Sequence, residues 1–459
     1  MIRRDVRERL GGESTFEQRR DAAAALTNEA LWLDTDNDLR EAITTAEEVE
    51  VEGRRYRRLD QDSSATYRGR WGSHHIEERL YREVGVHNGP TIKPIELRAG
   101  IIEHMTPDMA RIVGELSAHD SSRGLERTLR VTGLVPPSRA FLAKRITAMG
   151  DEIADAAGDL EALSRKEEVL PEGIASTSCG MDRMCVRMSE EVDEEAASTI
   201  PPTRTEPYER TPPPPKEHHY REAWVASASV YDDEGEELHT WRYAVEADAD
   251  RDKLADRVAA DVERVMRANP QARLHCIQDA AKELRAMPEA LMRALPSNSR
   301  PFVELVDLEH LMGYLENVVD ACEPAGDPND IKGWYRGELL RDDGAIDRIW
   351  RGLREKSRRL QGRRTKARLM VAKALSYIKH RKNKMRYASH YAANLPIGSG
   401  ATESTCWQMQ QRVKLPGQSW EPTGLRGILA MRALSLSDRW DTAWQPYAAS
   451  HRKDVRLAA

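Results

Sequence analysis

The sequence predicts an α/β protein whose centre is a mixed β-sheet with helices packed on it. Three observations lead there. Between Gly173 and Cys322, strand-like and helix-like segments follow the order strand, strand, strand, helix, strand, helix, strand. The strand-like runs are short and largely apolar, while the helix-like ones repeat their apolar residues at helical spacing. Two of the strands hold an aspartate in apolar surroundings, Asp182 within the first and Asp279 at the end of the fourth.

The elements are justified in chain order. Residues 16–50 read as helix and residues 54–84 as short strands around a Tyr67–Gly72 turn, closed by Pro90 and Pro94. Thr106 to Ala157 is helical again. Within it Leu125–Thr132, Gly133 and the helix Arg139–Met149 opened by Pro136-Pro137-Ser138 read as a helix-turn-helix, with Gly133 suited to the turn and Pro137 to the start of the second helix. Gly173–Met188 is the first sheet strand. Ser198–His219 is a proline-rich loop that offers too few backbone donors for a sheet or helix. Trp224–Val230 and Leu238–Val245 form a hairpin about Asp233-Glu234-Gly235. Asp250–Ala268 is an amphipathic helix carrying Leu254, Val258, Val262 and Val265, stopped at Asn269-Pro270. Ala272–Gln278 is a strand, Ala280–Leu295 a helix, Phe302–Val306 a strand, and Asp307 to Cys322 a helix. A three-strand antiparallel meander followed by two parallel strands is the order of an RNase H-like core. The expected organisation is a mostly helical DNA-binding region over 1–160 with its helix-turn-helix at 125–149, the first part of the core over 173–322, a basic helical insertion over 323–390, and the end of the core over 391–450.

Composition narrows the function. No apolar run is long enough for a bilayer, and Met1-Ile2-Arg3-Arg4-Asp5 has no apolar segment behind it, so the expected compartment is the cytoplasm, with no membrane partner. The five cysteines are odd in number and form no CxxC pair, which argues for reduced, mostly buried thiols rather than disulfides or a zinc site. His74-His75 and His218-His219 read as exposed polar residues. Net charge is −6, yet Arg351 to Arg386 holds fifteen Lys/Arg against the single acid Glu355. The plain reading of such a run is a solvated helix face, but one so one-sided favours a polyanion.

Cutting a phosphodiester requires the attacking and leaving oxygens to be held in line and their charge neutralised. Two divalent ions about 3.5–4 Å apart do this. Magnesium prefers oxygen ligands, so a few carboxylates suffice. Adjacent strands lie about 4.8 Å apart, so aspartates on neighbouring strands can converge on one metal pair. Asp182 and Asp279 occupy such positions; singly, an exposed edge residue and a helix N-cap would explain them. Glu403 follows the tight loop Leu395-Pro396-Ile397-Gly398-Ser399-Gly400 and falls in the first turn of a helix, near Trp407 and Trp420.

The segment Leu395–Ser404, with Arg412, Lys414, Gly417 and Trp420 beyond it, resembles the ISKra family of bacterial insertion-sequence transposases, related more distantly to the Mutator-like group. Asp307-Leu308-Glu309-His310 is similar to the DxxH motif of such enzymes. Cys276–Ala280 resembles their second-aspartate strand, and Asp182-Arg183 with Val186 and Met188 the first. Ala280 stands where glycine is expected, and Arg187 where proline is. The resemblance covers roughly residues 65–450. It implies a DDE transposase: Asp182, Asp279 and Glu403 as catalytic ligands of two Mg²⁺ or Mn²⁺ ions, Asp307 and His310 as an auxiliary motif, and cleavage at element ends followed by strand transfer. It also implies DNA, both element ends and target, as partner, and a homo-oligomer on that DNA. Candidate DNA contacts are Arg139, Lys144 and Arg145 in the helix-turn-helix, Arg363, Arg364, Lys366, Arg381, Lys382 and Lys384 in the basic block, and Arg412 and Lys414 beyond Glu403. An RNase H-like nuclease or resolvase without strand transfer, and a DNA-binding regulator without turnover, are the alternatives.

Overall fold

The computed structural model describes residues 14–191, 216–279, 281–295, 302–322, 328–362 and 365–457. The chain forms two units, one of residues 1–167 with 423–459 and one of residues 168–422.

The first unit opens with α1 (Phe16–Glu41). The Thr15 hydroxyl caps it by accepting from the Gln18 N–H, and the Gln18 side chain accepts from the Thr15 N–H in return. The chain then enters β1 (Glu48–Val51), β2 (Arg54–Gly69), β3 (Gly72–Glu83) and the short β4 (Thr91–Ile92). These belong to a five-stranded antiparallel sheet, in a region where helix is still the commoner element. Helix was expected to residue 50, but it ends at Glu41 and residues 48–51 are strand. The strands at 54–84 are long, 16 and 12 residues. Their charged residues pair across the hairpin, as Arg79 does with Asp62 at 2.9 Å. Their buried hydrophobic positions are Ala65, Tyr67, Ile76 and Tyr81. His74 is fully buried rather than exposed: its ring stacks on Trp32 and its Nδ1 lies 3.1 Å from Asp36.

Helices α2 (Pro94–Ala99), α3 (Pro107–His119), α4 (Ser122–Val131) and α5 (Arg139–Glu167) follow. Gly133 adopts φ +81° between α4 and α5, as a turn there requires. The second helix of the expected helix-turn-helix is only the first part of a 29-residue element. That element buries Leu142, Ile146, Met149 and Ile153 along one face, which makes it a core helix of the unit.

The second unit is built on β5 (Ser176–Glu191), β6 (Lys216–Tyr231), β7 (Glu237–Val245), α6 (Arg251–Ala268), β8 (Arg273–Gln278), a 3-10 turn at Lys282–Arg285, α7 (Ala286–Ala294), β9 (Val303–Val306) and α8 (Leu308–Cys322). The sheet order is β7-β6-β5-β8-β9. The first three strands are antiparallel, and β8 and β9 run parallel to β5 and β8. This is the meander-then-parallel arrangement the sequence predicts. Residues 216–219, expected in the proline-rich loop, are instead strand and pair with Met188–Glu191; residues 192–215 lie outside the described part, as does Ala280. One face of the sheet packs Met181, Ala226 and Ala228 against Leu254, Val258 and Val262 of α6.

The segment expected as a helical insertion is helical: α9 (Pro328–Arg341), α10 (Ala345–Arg359), α11 (Lys366–Lys379) and α12 (Ala388–Tyr391). It shares one core with α8, through Leu311, Leu315, Leu339, Ile349, Val371 and Ile378. The second unit ends with α13 (Gly400–Val413).

The chain then returns to the first unit through α14 (Pro422–Leu436), α15 (Trp440–His451) and β10 (Val455–Leu457), which pairs with β1. This corrects the assignment of 391–450 to the core, because only its first part belongs there. A Cβ on Gly427 would lie 2.7 Å from the Gly150 carbonyl carbon, so α14 and α5 cross backbone to backbone. Among the described residues, no helix is long and apolar enough to cross a membrane. The five cysteines are free; Cys179, Cys276 and Cys406 are buried and Cys185 is exposed.

Candidate active site

Three neighbouring parallel strands bring aspartates into one row, Asp182 midway along β5 and Asp279 and Asp307 just past the ends of β8 and β9. Cys179 of β5 is level with Cys276 of β8, and three residues further along each strand come Asp182 and Asp279. Gln278 of β8 is level with Val306 of β9, and the next residue of each is Asp279 and Asp307. The Asp307 N–H donates to the Gln278 carbonyl at 3.1 Å, which extends the β8–β9 register to this point. Residues level on parallel strands face the same side, so the three aspartates share a face, opposite the one packed on α6.

Helix α13 covers that face, and it can do so because the strands carry small residues beneath it. A Cβ on Gly180 would stand 2.3 Å from the Ile277 carbonyl oxygen and 2.9 Å from Thr402 Oγ1. Ser227 and Thr402 hydroxyls meet at 2.7 Å. This close approach seats Cys406 Sγ 3.6 Å from Asp182 Oδ2. It also sets Glu403, in the first turn of α13, over the row.

Each acid has its own setting. Asp182 Oδ1 accepts from the Arg183 N–H at 2.7 Å. Asp279 Oδ1 accepts from the Ala281 N–H at 2.7 Å, turning the chain out of β8, and the Asp279 carbonyl accepts from the Tyr377 hydroxyl at 3.1 Å. Asp307 is buried. Its Oδ1 accepts from the His310 N–H at 2.7 Å, at the start of α8, and its Oδ2 accepts from both the N–H and the hydroxyl of Ser399, the latter at 2.6 Å. The same Ser399 hydroxyl lies 3.5 Å from Glu403 Oε1, so one side chain ties the third acid to Asp307. Burial pushes the Glu403 carboxyl above its ordinary range, and the negative charges of Asp307, Asp182 and Glu309 push it further. Burial, with Asp182 beside it, raises the Cys406 thiol well above its usual value, so it stays protonated.

A divalent cation that prefers oxygen would need carboxylates such as these, and of them Glu403 feels the charges of Asp307 and Asp182. Among the described residues, no three His, Cys, Asp or Glu side chains already converge as a ligand cluster. Asp182 and Glu403 feel each other's charge, while Asp279 joins through the strand row.

His310 sits in an aromatic cluster, 5.9 Å from the Tyr377 ring and 6.0 Å from Tyr314. Sequence reasoning assigned Asp307 only to an auxiliary motif and missed Ser399, Cys406, Thr402 and Tyr377. Asp307 had the same signal as Asp279, an acid directly after an apolar strand.

The expected DNA contacts divide. Arg139 pairs with Glu126 at 2.5 Å, and Arg145 with Glu103 at 2.8 Å, so both are held by acids of their own unit; Lys144 is exposed. In the basic block Lys366 is exposed, while Lys382 pairs with Asp347 at 2.8 Å, Lys384 with Glu304, and the Arg381 guanidinium lies 4.7 Å from the Tyr377 ring centre. Arg363 and Arg364 lie outside the described residues. Arg412 is a correction: it is 4% exposed and stacks 5.0 Å from the Trp420 ring, so it serves packing, whereas Lys414 is exposed. Trp420 exchanges backbone hydrogen bonds with Arg187 and Ser189, so the Arg412–Trp420 part of the motif closes the loop after α13 onto β5.

No protein-family model matches the chain, and comparison with curated proteins finds no match.

Proposed function

We propose that this protein is a DDE-type DNA transposase with an RNase H-like core. The reading rests foremost on one observation: Asp182, midway along β5, and Asp279, just past the end of β8, each come three residues beyond the paired Cys179 and Cys276 of these adjacent parallel strands, with Glu403 in the first turn of α13. Asp182, Asp279 and Glu403 would hold two Mg²⁺ or Mn²⁺ ions. Those ions would polarise water, and then a DNA 3′-hydroxyl, for attack on phosphorus. Asp182 holds its position through the Arg183 N–H, and Asp279 through its turn to Ala281. Asp307 is a positioning residue: both its oxygens are engaged by Ser399 and His310, and through Ser399 it fixes where Glu403 lies. Small residues at Gly180 and Ser227 let α13 approach the row closely. The exposed Lys366 and Lys414, and Lys144 of the first unit, would meet DNA phosphates.

The test is a cleavage and joining assay on DNA bearing the ends of the element that encodes the chain, with Mg²⁺ present. Wild type should cut and join, and chelation should stop both. Asp279→Asn should abolish cleavage, by at least about a hundredfold, while DNA binding survives. Normal cleavage by that variant would remove Asp279 from the mechanism. Cutting without joining would make the protein a nuclease.

A further inference from the structure

The first unit holds a buried acid that the proposed chemistry does not use. Glu78 of β3 has a side chain 3% exposed, on the sheet face that also carries Tyr67 of β2. The Tyr67 hydroxyl lies 2.8 Å from Glu78 Oε1 and 3.1 Å from Glu96 Oε1, on α2. The Lys93 ammonium, just before α2, stands 3.6 Å from the same Glu78 oxygen and 3.7 Å from that of Glu96. These four side chains connect β2, β3 and α2.

The protons available do not match the acceptors. A hydroxyl has one proton, so Tyr67 donates to one carboxylate at a time. Its other oxygen contact is a hydrogen bond only when that carboxyl brings a proton of its own. Lys93 is too far from either oxygen for the short charge-assisted bonds that would offset two ionised acids. We propose that Glu78 is a proton-gated clasp between the β2–β3 hairpin and α2. Protonated, its O–H donates to the Tyr67 oxygen and the Tyr67 O–H donates to Glu96, which locks the hairpin onto α2. Ionised, Glu78 competes with Glu96 for the one Tyr67 proton, and the joint loosens. Glu78 rather than Glu96 takes the added proton because the Glu96 side chain is 33% exposed, where water solvates its charge. Burial pushes the Glu78 carboxyl up to about 6, outweighing the Tyr67 bond and the Lys93 charge. Burial, with the charges of both acids, raises Tyr67 far above its ordinary value, so it keeps its proton throughout.

The folded form holds the Glu78 proton to higher pH than the unfolded form does. The clasp is therefore complete below the ordinary carboxylate range and is lost as pH rises through about 6. The other charged groups nearby are His104, its ring centre 6.5 Å from that of Tyr67, with Glu103 and Arg145 around it, and the His74–Asp36 pair further along the same face. Burial pushes His104 below its ordinary value, so its effect on stability has the opposite sign. The inference stands on residues of the first unit alone and does not depend on the catalytic reading.

The test is hydrogen–deuterium exchange of the full chain, corrected for the intrinsic rate at each pH and read on peptides from β2, β3 and α2. Between pH 5 and pH 7 their opening equilibrium should rise about fivefold in wild type. Glu78→Gln keeps a donor to Tyr67 at every pH. It should remove the rise and show at pH 7 the protection that wild type has at pH 5. Tyr67→Phe keeps the ring in the core but breaks the chain of donors, so it should lose the extra protection at pH 5. Glu403→Gln, in the second unit, should leave the rise as it is. A wild-type opening that does not change with pH, a rise that persists in Glu78→Gln, or full protection of Tyr67→Phe at pH 5 would overturn the proposal.

Discussion

Removing the charge of Glu403 should have opposite effects on folding and on chemistry. Its carboxyl is pushed above the ordinary range by burial and by Asp307 and Asp182, so the folded form holds that proton to higher pH than the unfolded form does. The native state therefore loses stability as pH rises from the ordinary carboxylate range through the raised value. Glu403→Gln should abolish this slope and raise the metal-free melting temperature at neutral pH, by no more than ~2 °C for a partly exposed group. Melting curves of both proteins against pH in EDTA check it; a lower melting temperature for the variant at neutral pH would contradict the repulsion. The same variant should lose cleavage and the stabilisation that Mg²⁺ gives wild type. At this scale much of the site was legible. Asp182, Asp279 and Glu403 stood out because an acid next to an apolar run or a glycine loop is conspicuous. Ser399 and Cys406 did not, since their importance comes only from the approach of α13 to Gly180 and Ser227 across more than 170 residues of chain.

At the scale of elements, the basic helices carry less available charge than the sequence implies. Asp347 takes Lys382 and approaches Arg386, Glu304 takes Lys384, and Glu355 takes Arg359. Two of those acids lie outside the run, so counting charge along the chain cannot see them. The exposed Lys366 and Lys373 should therefore govern DNA binding. Replacing both by alanine should flatten the salt dependence of binding by roughly two units of slope, and replacing Lys382 and Lys384 should leave the slope nearly unchanged. Salt titrations of the two double variants decide this; equal slopes would show that the ion pairs open on DNA. Element legibility followed burial. β7, α6, β8 and β9 were read nearly in place because one face or both are buried and apolar. The arms of β2, β3 and the start of β6 were misread because their residues are charged and exposed, and hydrophobic alternation fades where both faces meet water.

At the scale of the whole molecule, the first unit is discontinuous and the second is not. No local pattern could announce that Gly427 must meet Gly150, or that residues 455–457 pair with 49–51. Residues 168–422 expressed alone should fold cooperatively. Residues 1–167 alone should aggregate, with the β1 edge and the α5 groove bare, and co-expression with 423–459 should restore a soluble complex. Gel filtration of the two preparations tests this; a soluble, monomeric 1–167 would show that β10, α14 and α15 are dispensable. The pairing of β10 with β1 also sets a clock during synthesis. The partner of residues 49–51 leaves the ribosome roughly 400 residues later, a delay of about 20–80 s at 5–20 residues per second. Through that interval the middle of the polypeptide has everything needed to reach its native state, and the beginning does not. A nascent chain of this protein should thus acquire its acid row before it acquires a complete N-terminal sheet, so the unit begun first is finished last.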